Sequence, residues 1–279
     1  MNIPTPAPTS APRRGTYTGL IATDMDGTLL DGNHQIPDDF WPLLDRLHAQ
    51  GWAFAPASGR QLYTLLDQFD RVAGNQISVI AENGTVVYHE GEIVSTTTLA
   101  PKDAHAVIET IENTDLDWGV VLCRADGAFV SRTDNEFLKE GIKYYHRLER
   151  VEDLHEHVND QVIKLAVFSF PDAETVAAPL LRGVAPDLSL VISGAHWIDL
   201  MAPEANKGVG LRLLAQALDI PMERTIAFGD FLNDLELLQA AGTAVAMENA
   251  HPKIKEVATR IAPPNTEHGV LTVLEELLN

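Results

Sequence analysis

The sequence predicts an α/β protein whose parallel sheet is interrupted by an inserted α/β domain. Three observations carry this. Strand and helix patterns alternate from Leu20 to Phe69, the same alternation resumes at Lys207, and the block between them follows a different rhythm with hairpin-like runs.

Taken in order, residues 1–16 are rich in Pro, Ala, Ser and Thr, lack a hydrophobic period and read as a flexible tail. Arg13-Arg14 makes no export signal, because Asp24 and Asp26 arrive before any apolar stretch of adequate length. Leu20–Thr23 is a short apolar strand. Pro37-Asp38-Asp39 opens a helix through Trp41, Leu44 and Leu47 that stops at Gly51, with acids early and glycine late as helix polarity favours. Trp52–Ala57 is the next strand, and Ser58, at the expected N-cap, leads into a helix carrying Leu62, Leu65, Leu66 and Phe69. Strands Ser78–Ala81 and Thr85–Tyr88 are split by the turn pair Asn83-Gly84.

The middle block holds strands at Val120–Cys123, Ala128–Ser131, Val162–Phe168 and Leu188–Ile192, with helices at Lys102–Glu112 and Asp172–Leu181. From Lys207 the order is helix to Leu218, strand Thr225–Phe228, helix Asp234–Ala241, strand Ala244–Met247, helix Pro252–Ala258 and a last helix after His268. The expected division is a core of 17–84 and 202–279 around an inserted domain of 85–201.

The chain has 279 residues, of which 45% are hydrophobic and 22% charged, which is ordinary globular usage with ample length for a core. No apolar run approaches the roughly 20 residues needed to span a bilayer. Forty acidic against twenty basic side chains give a formal charge of −20, which repels nucleic-acid backbones and anionic membranes. The single cysteine, Cys123, excludes an internal disulfide and a thiolate zinc cluster, and the expected compartment is the cytoplasm.

In an open α/β sheet, ligands sit beyond the carboxyl ends of the strands. Asp24 and Asp26, Ser58 and Asp230 each follow a predicted strand, so three strand ends distant in sequence can deliver acids and a hydroxyl to one crevice. Asp24 and Asp230 suit a hard divalent cation, and a cation relieves the repulsion that opposes ionising neighbouring carboxylates together. Asp230 and Asp234 can face such an ion across one turn; a plain helix cap by Asp230 or Asn233 is the alternative. An EF-hand is excluded, since the sixth and twelfth positions counted from Asp24 are Leu29 and Gln35 instead of Gly and Glu.

Ser58, with the free N–H groups after it, can receive an anion, and Arg60 is placed to touch a phosphate; a capping serine and a solvated arginine are the bland readings. Lys207 opens a helix, where its charge opposes the dipole, so it is placed to answer an anion. Gly208-Val-Gly210 lacks the third glycine and the preceding strand of a dinucleotide site. Lys164 interrupts the apolar run VIKLAVF, either as a stabilised surface lysine or as a substrate contact.

Together, DMDGTL at Asp24–Leu29, SGR at Ser58–Arg60, Lys207-Gly208 and GDFLND at Gly229–Asp234 resemble the four ordered motifs of the haloacid dehalogenase superfamily of phosphotransferases. The long insert between the second and third motifs, with AENG before it and AMENAHPKIKEVA and NTEHGV beyond it, resembles the Cof-like phosphatases with a large α/β cap. Glu248 and Pro263-Pro264 depart from the usual residues of those last segments. The resemblance implies a Rossmann-like core with Asp24 as nucleophile, Asp26 as acid/base and Lys207 as a charge stabiliser. It places Ser58, Gly59, Arg60 and Asn233 at the phosphate, and Mg²⁺ on Asp24, the carbonyl of Asp26, Asp230 and Asp234. Asn83 and Lys164 are the candidates for contact with the rest of a small phosphorylated metabolite, sugar phosphates foremost. A phosphomutase or a dedicated sugar-phosphate phosphatase would keep the same motifs. A non-turnover phosphoryl-binding or signalling module is the rival from another class, and such receivers lack an acid two residues after the phosphorylated aspartate.

Overall fold

The computed structural model describes residues 17–72, 77–193 and 195–278. The expected tail at 1–16 lies outside the described residues. The described residues open with β1 (Gly19–Thr23), α1 (Phe40–Ala49), β2 (Trp52–Pro56), α2 (Leu62–Gln68), β3 (Ser78–Ala81), β4 (Val86–His89) and β5 (Glu92–Thr96). The middle block contains α3 (Pro101–Glu112), β6 (Trp118–Arg124), β7 (Gly127–Val130), α4 (Asn135–Ile142), β8 (Leu148–Arg150), β9 (Val162–Ser169), α5 (Ala178–Val184), β10 (Ser189–Ile192) and β11 (Trp197–Met201). The remainder is α6 (Lys207–Ala217), β12 (Thr225–Gly229), α7 (Leu235–Ala240), β13 (Thr243–Met247), α8 (Pro252–Val257), β14 (Arg260–Ala262) and α9 (Gly269–Leu278).

The core sheet is parallel, in the order β14-β13-β12-β1-β2. β1, flanked by β12 and β2, is buried along its whole length, which is why GLIAT reads as a continuous apolar run and not as an alternation. Connections leave β1 toward β2 on one side and leave β12 toward β13 on the other. The crevice between the ends of β1 and β12 is therefore the switch point of the sheet. Thr23 lies opposite Phe228 there, and the Asp24 N–H donates to the Phe228 carbonyl at 3.0 Å.

On one flank α1 buries Phe40, Leu43, Leu44 and Leu47, the spacing of a single helix face. Phe40 meets Phe54 and Phe69 with ring centroids 5.1 and 6.2 Å apart, fastening α1 to β2 and to the end of α2. An isolated bridge between Ala57 and Ile80 joins this edge to a three-stranded antiparallel sheet, β3-β4-β5. The boundary expected at residue 84 falls between two paired strands of that sheet. Asn83-Gly84 does reverse the chain there, but inside a four-residue connection between paired Ala81 and Val86.

The inserted domain is a six-stranded sheet, β10-β11-β9-β6-β7-β8. Strand alternation divides its residues cleanly. Leu165, Val167, Ile198 and Leu200 face α3 and α5, while Cys123, Ala166, Phe168 and Trp197 join the core-side cluster.

Several elements escape a reading by pattern. Glu92–Thr96 and Arg260–Ala262 are short, largely exposed edge strands with little apolar signal. Trp197–Met201 is fully buried but carries Asp199 at its centre. The helix expected to begin at Ser58 begins at Leu62, with Gln61 at the N-cap, because the backbone of 58–60 is bonded to 80–83 instead. Among the described residues no helix is long and apolar enough to cross a membrane.

Candidate active site

Every motif acid stands at a strand end or on the turn that follows. Asp24 leaves β1 into a tight turn over Met25–Leu29, where Gly27 has φ +80°. A Cβ on Gly27 would lie 2.4 Å from Asp230 Oδ2, so glycine is needed both for the turn and for the approach of the second acid. Asp230 follows β12, and its Oδ1 accepts from the Thr28 hydroxyl at 2.9 Å. Asp234 is wholly buried, and its Oδ2 accepts from the N–H groups of Asp230 and Phe231 at 3.0 and 3.3 Å. This carboxylate fixes the loop that carries Asp230, which explains the i, i+4 spacing.

Lys207 is the first residue of α6, with the Asn206 side chain capping the helix by accepting from the Val209 N–H at 2.9 Å. Its fully buried ammonium donates to Asp24 Oδ1 at 2.5 Å and to Asp234 Oδ1 at 2.6 Å. Close approach of α6 depends on Gly84, at φ +93°, where a Cβ would fall 2.2 Å from the Asn206 carbonyl. The expectation that Lys207 answers an anion is met by two carboxylates of the chain itself. Burial pulls the Lys207 pKa down, but Asp234 and Asp24 outweigh it and hold the ammonium protonated.

One lysine faces three acids. Oxygens of Asp24, Asp230 and Asp234 lie within 4.8 Å of one another. Burial, then the charge of Asp234, raises the Asp24 pKa well above the carboxylate range against the pull of Lys207. Burial and Asp234 likewise raise Asp230 from 3.8 to about 6. The donor set is all oxygen and short of positive charge, the chemistry that suits a hard divalent cation. Since both Asp234 oxygens are already bonded, Asp24 and Asp230 are its best-placed direct donors.

Asp26 has a different environment. Its side chain is half exposed and takes a two-pronged contact from Arg60, Nε to Oδ2 at 3.0 Å and Nη2 to Oδ1 at 2.7 Å. Arg60 is thus placed on the second acid of the opening motif. Ser58 is buried, and its Oγ accepts from the Arg60 N–H at 3.2 Å. Asn233 donates to Asn83 Oδ1 at 3.4 Å, and Asn83 donates to Asp199 Oδ2 at 2.7 Å, a polar chain that runs from the core loop to β11.

Lys164 corrects the expectation of a surface lysine. It is 1% exposed, ion-paired with Glu82 and 3.5 Å from Asp199, because strand alternation turns it toward the core. Two carboxylates inside the interface keep a charged side chain there.

These groups open on a cavity of about 270 Å³ between the two sheets, whose floor includes Asp24, Asp26, Ser58 and Asp230 and whose walls include Tyr144, Trp197 and Phe231. Thr28, Tyr144, Trp197 and Asp199 are site residues that the sequence does not mark as such. The legible signal for Asp199 was the same one that marked Lys164, a charge in the middle of an apolar strand. The aromatic wall had none.

An aspartate at the switch point of a parallel sheet, gripped by a buried lysine beside an acidic cluster and roofed by a second domain, is the layout of a capped phosphohydrolase. Comparison with known proteins agrees. The profile of haloacid dehalogenase-like hydrolases matches residues 21–274. The 5-amino-6-(5-phospho-D-ribitylamino)uracil phosphatase YbjI of Escherichia coli is 34% identical over 262 residues, covering 93% of this chain and 96% of its own. Phosphatase YwpJ of Bacillus subtilis is 29% identical over 286 residues, covering 93% and 99%. A solved haloacid dehalogenase-like hydrolase from B. subtilis superposes with a TM-score of 0.81 at 27% identity, covering 93% of this chain and all of that one. The chain belongs to the haloacid dehalogenase-like hydrolases and is a phosphatase. Members of this family generally use a divalent metal, as the acidic cluster fits.

Proposed function

We propose that this phosphatase hydrolyses small phosphomonoesters of sugars or polyols by way of a phosphorylated Asp24, with Mg²⁺ as its cation. The observation that carries the reading is the unequal treatment of the two motif acids. Asp24 is buried and anchored through one oxygen by Lys207, whereas Asp26 stands half exposed at the cavity and is aimed by Arg60.

In the first displacement an Asp24 oxygen forms a bond to phosphorus as the ester P–O bond breaks, and the Asp26 carboxyl gives its proton to the departing alkoxide. In the second, the Asp26 carboxylate takes a proton from water, which attacks the same phosphorus and returns Asp24 as a carboxylate with free phosphate. Lys207 offsets charge gathered on the nucleophile side, while the Ser58 hydroxyl and the N–H groups of its loop receive phosphoryl oxygens. Asp24, the carbonyl of Asp26 and Asp230 would hold the Mg²⁺, with Asp234 orienting the loop, and the positive charge it would supply there would offset that of the phosphoryl oxygens and the acid cluster. Arg60 serves by holding Asp26, and Asn233 lines the approach to the leaving group with Asn83 bonded behind it.

The cavity supports a leaving group of modest size with both hydroxyls and an apolar face, since Asp199 and Ser193 lie beside Tyr144 and Trp197. The ribityl phosphate on which YbjI acts is such a compound. We place the cap from about Leu99, whose N–H bonds to the Val162 carbonyl, and count β4 and β5 with the core. The buried, unpaired Cys123 supports a cytoplasmic setting. The test is phosphate release from a panel of sugar, polyol and nucleoside monophosphates, with Mg²⁺ and after chelation. Turnover of polyol or sugar esters only with the cation is expected; full activity after exhaustive chelation, or no turnover of any monoester, would contradict the proposal.

A further inference from the structure

The loop Ser58–Arg60 is held through all three of its carbonyl oxygens. Ser58 O accepts from the Asn83 N–H at 2.9 Å, and Arg60 O accepts from the Glu82 N–H at 3.1 Å. Both donors are core backbone. The middle carbonyl, that of Gly59, accepts instead from Lys164 Nζ at 3.0 Å, a side chain that arrives from β9 of the inserted domain.

A peptide unit is planar, so the Gly59 carbonyl and the Arg60 N–H turn together. That N–H donates to Ser58 Oγ. Fixing the Gly59 oxygen therefore fixes the orientation of the hydroxyl that faces the cavity, and it anchors the backbone from which Arg60 reaches Asp26. The supporting turn is itself under tension. Glu82 and Asn83 lie at φ +51° and +54°, in the left-handed region that non-glycine residues rarely occupy, a conformation that persists only where surroundings over-determine it. A cap side chain does so here, since Asn83 donates to Asp199 at 2.7 Å.

We infer that Lys164 is a positioning residue that completes the phosphoryl-binding loop from the cap, through the carbonyl of Gly59. Lys164 borders the cavity, but its three protons face Glu82, the Gly59 carbonyl and Asp199, so its ammonium acts on the loop. Burial works against its charge, but Asp199 and Glu82 prevail and keep all three protons in place. The cap thereby joins roofing the cavity to setting its floor. An undocked cap would leave the Gly59 peptide free to rotate.

The inference rests on the proposed function only for its kinetic readout. Lys164→Met and Glu82→Gln both break the same ion pair, but only the first removes the donor to Gly59. Steady-state kinetics with p-nitrophenyl phosphate and Mg²⁺ should show kcat about 100-fold lower in Lys164→Met, with KM little changed, the scale of loss that small misplacements cause. Glu82→Gln should stay within about threefold of wild type. Hydrogen exchange of the 58–61 amides should quicken in the first variant and not in the second. The double variant Lys164→Met/Glu82→Gln removes one charge of each sign, guarding against misfolding of the single variant, and should remain slow although folded. Equal losses in the two single variants, or recovery in the double, would reduce Lys164 to a neutralising partner and overturn the inference. A wild type with no activity would instead count against the proposed function, and the exchange measurement would then decide the inference alone.

Discussion

Asp230→Asn should stabilise the metal-free protein, and the gain should depend on pH in a defined direction. Asp230 has a folded pKa raised from 3.8 to about 6, by burial first and then by Asp234, so its ionised form is disfavoured by ~3 kcal/mol in the absence of a cation. The sign follows from linkage. Below pH 3.8 the carboxyl is protonated folded or unfolded and contributes nothing; between 3.8 and 6 the folded state binds the extra proton and stability falls as pH rises; above 6 the whole cost is present. Asparagine does not ionise and keeps an Oδ1 for the Thr28 hydroxyl. Urea unfolding in chelator should therefore show the variant more stable than wild type by roughly 3 kcal/mol at pH 7.5 and by roughly half that at pH 5. Adding Mg²⁺ should reverse the order, since the cation stabilises only the protein that binds it. A variant less stable than wild type in chelator, or a gap that ignores pH, would refute the reasoning.

Three further outcomes follow from the site. Lys207→Met leaves Asp24 and Asp234 buried without their cation and should cost about 3–5 kcal/mol by urea unfolding, besides abolishing turnover. Asp26→Asn should slow a sugar phosphate far more than an aryl ester in the first step, because the phenol leaves without a proton; rapid quench should show phosphorylated enzyme accumulating with the aryl ester. Trp197→Ala removes a wall of the cavity and should alter the ranking of esters more than the rate with a small activated ester, which a substrate panel would read directly.

The core was legible because parallel strands buried on both faces write continuous apolar runs, and because each site acid follows such a run. GLIAT before Asp24 and TIAF before Asp230 are the clearest cases. What stayed hidden depends on strand partners that sequence does not name. Lys164 announced itself by breaking an apolar run, but whether it faced water or a buried carboxylate turned on the register of β9 against β11 and on the left-handed turn at Glu82. Asp199 disguised its own strand for the same reason. Ser58 looked like a helix cap because nothing local reports that three carbonyls of its loop would be claimed by distant donors.

The central claim is that Asp24, and not Asp26, carries the phosphoryl group. Rapid acid quench of the enzyme with an aryl phosphate in the presence of Mg²⁺, followed by reduction or peptide mass mapping of the acyl phosphate, tests it most directly. The account predicts the modification at Asp24 alone, lost in Asp24→Asn and enriched in Asp26→Asn. A phosphoryl group mapped to Asp26, or turnover retained by Asp24→Asn, would contradict it.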